Sequence, residues 1–220
     1  MTGYWQEFSP KAPPQTVWRD HYDAPMPDGT TLRLPLRDLG ETAIAGLIAN
    51  QAAFPVLDRL AAWTAEAAAP LAPGIVVGLP TLGHTVGAAV ARALGHPNWV
   101  APSTTRKRWY DDTLSAPLSS ITSPATGPNA TRRMWLDPRL RPRLQGRRVV
   151  LVDDVISTGT SALAGLALLR TAGVEPVGLL VAMIQGQRWR ERWDPAIPVR
   201  AAFTTPLFRR VEGGFAPIQE

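Results

Sequence analysis

Residues 149–161 read VVLVDDVISTGTS. Val149, Val150, Leu151 and Val152 form an apolar run without polar alternation, the pattern of a strand buried on both faces. Two adjacent carboxylates, Asp153 and Asp154, close that run. After Val155 and Ile156 come Ser157, Thr158, Gly159, Thr160 and Ser161, which lead into the helical run SALAGLALLRTAG of residues 161–173. In open α/β sheets, ligands bind beyond the carboxyl ends of the strands, where loops enter helices. Backbone N–H groups, the positive end of a helix dipole and several hydroxyls converge there, which suits a phosphate. Carboxylates ahead of a phosphate cradle suit a ligand with vicinal hydroxyls, or a magnesium ion. A ribose 5-phosphate carries both a phosphate and such hydroxyls; the plain alternative is a strand end followed by a capped helix with no ligand.

On either side of this string the same alternation recurs. GIVVGL (residues 74–79) reads as a buried strand, HTVGAAVARALG (84–95) as a helix closed by glycine, and NWVAPS (98–103) as the next strand. PVGLLVAMI (176–184) and residues 199–204 give further strands, followed by an irregular tail. Strand, helix, strand at this spacing implies parallel strands with crossover helices, so the class is α/β with a Rossmann-like central parallel sheet flanked by helices. The first forty or so residues, with a turn at 27–30 and a short strand after it, read as an appended flap. From 38 to 69 the apolar residues recur at helical spacing on both sides of Pro55, which predicts two helices or one broken helix. Residues 104–137 interrupt the alternation and read as a lid followed by a hairpin ending in RRMWL. The organisation is effectively one domain: flap, hood and packing helices over 1–70, a core over 71–205, and a tail over 206–220.

Composition narrows the functions. With 45% hydrophobic and 19% charged residues among 220, the chain is a globular domain able to bury a core, not a disordered, fibrous or coiled-coil protein. It has no cysteine, which removes disulfide frameworks, thiolate metal sites and a cysteine nucleophile, and which fits a cytoplasmic setting. No signal-like leader and no apolar stretch of the ~18 residues a membrane span needs is present, so no membrane partner is expected. The net charge of +5 is concentrated in arginines such as Arg132, Arg133, Arg147 and Arg148. No nucleic-acid module accompanies them, so they read as a solvated face and no nucleic-acid partner is expected.

The string at 149–161 closely resembles the phosphoribosyl-pyrophosphate motif of the type I phosphoribosyltransferases. The resemblance implies that Asp153 and Asp154 hold the ribose hydroxyls, while Ser157, Thr158, Gly159, Thr160 and Ser161 hold the 5-phosphate. It extends over about residues 70–205 and is greatest to the adenine-using branch, since residues 75–95 look like that branch's first strand, pyrophosphate loop and helix. The pyrophosphate loop would be Thr81, Leu82, Gly83 and His84, with Leu82 where those enzymes carry an arginine. Backbone amides at 81–83 bind an anion without a particular side chain, and His84 is an additional candidate contact.

The resemblance also identifies residues 104–115 with the family's mobile catalytic loop. Arg106 and Lys107 would face the leaving pyrophosphate, and Arg108, Trp109 and Tyr110 would complete a lid that excludes water. The implied reaction joins 5-phosphoribosyl 1-pyrophosphate to a nitrogenous, purine-like base with release of pyrophosphate, in nucleotide salvage. Magnesium would be held indirectly through the pyrophosphate, with Asp153 as the candidate protein contact. Oxopurine-using relatives place an acid at the first position of the phosphate loop; Ser157 stands here, which argues against hypoxanthine and guanine and leaves adenine-like, xanthine-like or other acceptors open. A hood built from the N-terminal segment and the C-terminal tail would hold the acceptor, with Trp18, Tyr22, Trp135, Phe203 and Phe208 able either to stack on a base or simply to pack. A homodimer is implied. A non-catalytic sensor of phosphoribosyl pyrophosphate remains the alternative.

Overall fold

The computed structural model of the chain describes residues 3–118 and 132–219. Its first unit is a set of antiparallel strands: β1 (Phe8–Ser9), β2 (His21–Pro25), β3 (Thr31–Asp38) and β4 (Thr42–Ala45). β2 and β3 turn at Gly29, whose φ of 85° favours glycine, with Asp28 accepting from Thr30 N at 3.0 Å. β4 corrects the helix expected across residues 41–54. Ala43 and Ala45 are buried while Thr42 and Ile44 are not, a period of two. Alanine-rich sequence satisfies either period, and pairing on both edges decides it: Leu36 lies opposite Ala45, and Phe208 opposite Ala43.

A single helix follows, α1 (Phe54–Ala68). Pro55 sits in its first turn, where a missing N–H costs nothing, so the proline starts the helix rather than breaking one. β5 (Ile75–Gly78) and α2 (Gly83–Ala93) come next. The strand expected at 98–103 shrinks to two single bridges, Val100 with Val77 and Ser103 with Trp135; Pro102 between them has no N–H to donate to a ladder. β6 (Ser115–Pro117) and β7 (Arg133–Trp135) form the expected hairpin, although residues 119–131 of that segment lie outside the described residues. After the short α3 (Arg141–Leu144) come β8 (Val149–Ile156), α4 (Thr160–Thr171), β9 (Gly178–Gln185) and β10 (Val199–Thr205).

The four core strands run parallel in the order β10-β9-β8-β5. Val149 to Val152 and Leu179 to Met183 are wholly buried, as an apolar run without alternation requires. α1, α2 and the hood pack on one face around Val150, Val152 and Leu180; α4 and the β6–β7 hairpin pack on the other around Val149, Leu151 and Leu179. The tail is not irregular. It forms β11 (Leu207–Val211) and β12 (Gly214–Pro217), a hairpin turning at Glu212 and Gly213, with φ of 82° at Gly213. β11 pairs with β4, so the antiparallel hood is built from both ends of the chain. Arg210 donates two hydrogen bonds to Asp38, at 2.6 and 2.7 Å, across that seam. Among the described residues no helix is long and apolar enough to cross a membrane.

Candidate active site

At the carboxyl ends of β8 and β9, under the hood, lies a cavity of about 920 Å³. Asp153, Asp154 and the whole stretch 155–161 line it, together with Pro80, Thr81 and Leu82 and the hood residues Ile44 to Leu47. The sequence therefore brings the expected ribose and phosphate contacts into one space.

Local structure explains the phosphate end. Gly159 has φ of 76°, a left-handed conformation that favours glycine, and this turn delivers the chain into α4. No side chain caps the start of α4, so its first amides remain open to an anion. Thr158 and Thr160 hydroxyls stand 3.1 Å apart in the same loop. Arg188 also lines the cavity, makes no ion pair among the described residues, and rides on a short 3₁₀ turn whose Trp189 packs against Gly159. The sequence reading missed it; its place in a run of arginines concealed it.

The acids are not beyond the strand but within its last turn of pairing, Asp153 opposite Val181. Asp153 is buried, and its Oδ1 accepts from Asp154 N at 2.9 Å. Burial, and then the neighbouring Asp154 charge, hold the Asp153 carboxyl well above the usual carboxylate range. Asp154 is half-buried and is also raised, by burial first. Neither acid forms a salt bridge among the described residues. Two crowded carboxylates without a cation suit donors of hydrogen bonds or a hard divalent ion that arrives with its own phosphate ligands. No cluster of three or more metal-ligating side chains exists among the described residues, so an ion here would take most of its ligands from substrate and water.

The expected pyrophosphate loop divides. Thr81 and Leu82 face the cavity, whereas Gly83 and His84 do not line it. Gly83 is where α2 touches β8: a β-carbon on it would fall 2.6 Å from Asp153 Oδ1 and 2.9 Å from Asp153 Cα. His84 is committed elsewhere. Its Nε2 donates to the Pro102 carbonyl at 2.8 Å, its ring packs edge-on against Trp99, and burial lowers its pKa, so it is neutral at pH 7.

The lid residues Arg106, Lys107, Arg108, Trp109 and Tyr110 do not line the cavity. Arg106 Nε donates to Asp112 at 2.8 Å and its guanidinium lies over the Trp135 ring, while Trp109 Nε1 donates to Asp137 at 3.2 Å and Tyr110 stacks on Trp135. The aromatic candidates for stacking on a base are packing residues. Trp18, Tyr22 and Phe208 form an edge-on cluster with centroids 5.1 to 6.0 Å apart, and Phe203 and Trp135 are buried; none lines the cavity. Its apolar wall is aliphatic instead, with Ile44 and Leu47 from the hood and Val155 and Met183 from the core sheet.

The chain has relatives among known proteins. The adenine phosphoribosyltransferase of Corynebacterium efficiens is 34% identical over 66% of this chain and 70% of its own length. That of Streptomyces coelicolor is 34% identical over 73% of this chain and 83% of its own. Among solved structures, the enzyme of Giardia lamblia complexed with 9-deazaadenine superposes with a TM-score of 0.59 at 18% identity, covering 77% of this chain and 93% of that one, and so shares the fold. The phosphoribosyl transferase domain matches residues 46–202, more than half of the sequence, and the chain belongs to that family.

Proposed function

We propose that this protein transfers the 5-phosphoribosyl group of 5-phosphoribosyl 1-pyrophosphate to a ring nitrogen of a purine-like base and releases pyrophosphate, as a salvage enzyme. The observation that carries the reading is the convergence, in one cavity, of an uncapped helix start, two crowded carboxylates and an aliphatic slot under the hood. Similarity to adenine phosphoribosyltransferases supports a purine acceptor.

Residues 157–161 and Arg188 hold the 5-phosphate, and Asp153 with Asp154 accepts hydrogen bonds from the ribose hydroxyls. This fixes the anomeric carbon toward the space between Thr81–Leu82 and the hood. Pyrophosphate leaves along the backbone of residues 80–82, and the base nitrogen attacks from the hood side. Bound with the substrate, magnesium would neutralise charge on the leaving group, with Asp153 the acid placed to meet it. For the lid to act, Arg106 must exchange Asp112 for the pyrophosphate and carry Lys107 with it, while Trp109 and Tyr110 exclude water from a carbon with oxocarbenium character. A cytoplasmic homodimer is the form in which we expect the enzyme to work.

The test is direct: purified protein, phosphoribosyl pyrophosphate, magnesium and a panel of bases, with pyrophosphate release recorded. Release with a purine, abolished by chelation, is the expected result. Tight binding of phosphoribosyl pyrophosphate without release on any base would replace the enzyme by a sensor.

A further inference from the structure

Gln185 is the last residue of β9, two residues past Met183 and so ~7 Å further along the strand toward the hood. It is 3% exposed and lines the cavity. Its Nε2 donates to the Ala45 carbonyl of the hood at 2.7 Å. A carbonyl only accepts, so the amide has one orientation: nitrogen on Ala45, oxygen away from it. Among the described residues nothing donates to Gln185 Oε1. Among the described residues the fully enclosed side-chain atoms without partners are His96 Nδ1 and Thr205 Oγ1 and do not include Oε1, and the space that Gln185 lines is the cavity.

We infer that Gln185 determines acceptor specificity by presenting a fixed, unpaired acceptor oxygen to the bound base, selecting a base that carries an exocyclic amine. The inference rests on the phosphoribosyl transfer proposed above. With the phosphate at 157–161 and the ribose at Asp153 and Asp154, the base lies in the remaining slot between Val155, Met183 and Ile44–Leu47, and Gln185 stands at its hood end. Aliphatic walls hold any flat heterocycle equally well; only a directional group distinguishes one ring edge from another. An amine on that edge donates to Oε1. A ring without the amine leaves the oxygen dry and unpaired, and an oxo group opposes it lone pair to lone pair. Rotating the amide to offer a donor instead would break the bond to Ala45 and set two oxygens face to face, so the hood holds the preference in place.

Two measurements test this. First, calorimetric binding of AMP and of purine riboside 5′-phosphate, which lacks the amine, to the unaltered protein needs no turnover; AMP should bind about 10- to 100-fold more tightly. Second, kcat/KM for adenine relative to unsubstituted purine should fall at least about tenfold in Gln185→Leu, with the melting temperature recorded alongside. Equal binding of the two nucleotides overturns the inference. So does an equal loss for both bases in Gln185→Leu, which would leave Gln185 as a hood tie only. Absence of release on every base, with AMP still preferred, would instead remove the catalytic reading and leave this contact standing.

Discussion

Gly83→Ala tests whether the proposed pyrophosphate loop and the proposed ribose acids act as one unit. The new β-carbon would lie 2.6 Å from Asp153 Oδ1, 2.9 Å from Asp153 Cα and 3.0 Å from the Val152 carbonyl oxygen. Two of these three atoms are backbone and cannot swing aside, and ordinary contact begins near ~3.4 Å, so the start of α2 and the end of β8 must part by roughly half an ångström. Overpacking of this kind costs ~1–3 kcal/mol, and at the first residue of the helix alanine returns only part of the ~1 kcal/mol that separates it from glycine in a helix interior, so a net loss of ~1–2 kcal/mol is the central expectation. For a chain of this length that is a fall in Tm of about 2–8 °C. Because the displaced residue is Asp153, kcat/KM should also drop, by about tenfold if ~1 Å of misplacement costs on the order of a hundredfold. Gly87→Ala supplies the control, since its β-carbon would meet Gly78 Cα at 2.9 Å, one turn further along α2 and away from the acid. Thermal melts and pyrophosphate-release rates on both variants decide the matter. Comparable Tm losses with a rate loss confined to Gly83→Ala are expected; unchanged Tm in Gly83→Ala, or equal rate losses in both, would refute the reasoning.

Two further outcomes follow from the same geometry. Replacing Arg106 and Lys107 together by alanine should lower kcat by on the order of a hundredfold while weakening binding of phosphoribosyl pyrophosphate less than tenfold, because the loop lies outside the cavity and its proposed role is to close on the leaving group; equal losses, read by single-turnover rates and calorimetry, would make it a binding loop only. Asp153→Asn should abolish turnover and yet raise Tm at pH 8. Burial raises the folded-state pKa of Asp153 above its unfolded value, so the native state holds the extra proton between the two, stability falls as pH climbs through that window, and asparagine removes the loss. The difference in Tm should shrink as pH falls to and below the ordinary carboxylate value of 3.8, where the unfolded state too becomes protonated, and a difference independent of pH across melts from pH 3 to 8 would contradict the assignment.

What was legible from sequence follows from how each part of the site is encoded. The proposed donor half is contiguous: Asp153 through Ser161 are consecutive, and a strand leading through a glycine turn into an uncapped helix needs only local rules to be read. The acceptor half is assembled from a distance. β4 becomes a strand only because β3 pairs with it on one edge, Leu36 opposite Ala45, and β11, from the other end of the chain, pairs with residues 42–44 on the other, and nothing within TAIA distinguishes strand from helix. The tail hairpin carried a readable signal in Glu212, Gly213 and Gly214, a turn between apolar-bearing segments, but its partner strand did not. The tryptophans misled for a related reason. A large ring pays its way equally well in a core and on a base, and only the observed cluster of Trp18, Tyr22 and Phe208 tells the two apart.

The hood strand that borders the acceptor slot is held at consecutive residues by groups from two other parts of the chain. Gln185 Nε2 donates to the Ala45 carbonyl, and Trp5 Nε1 donates to the Gly46 carbonyl at 3.0 Å. These bonds place the slot's backbone wall relative to β9 on one side and to the N-terminal segment on the other, while Arg210 and Asp38 close the seam to the tail. The phosphate end needs no such support, because α4 is fixed by its own packing against β8 and the β6–β7 hairpin. A change at Trp5 or in the tail should therefore alter which base is accepted long before it alters how phosphoribosyl pyrophosphate is held. With the donor contacts proposed on the core sheet and the acceptor slot proposed at its tie to the hood, the two should diverge independently under mutation.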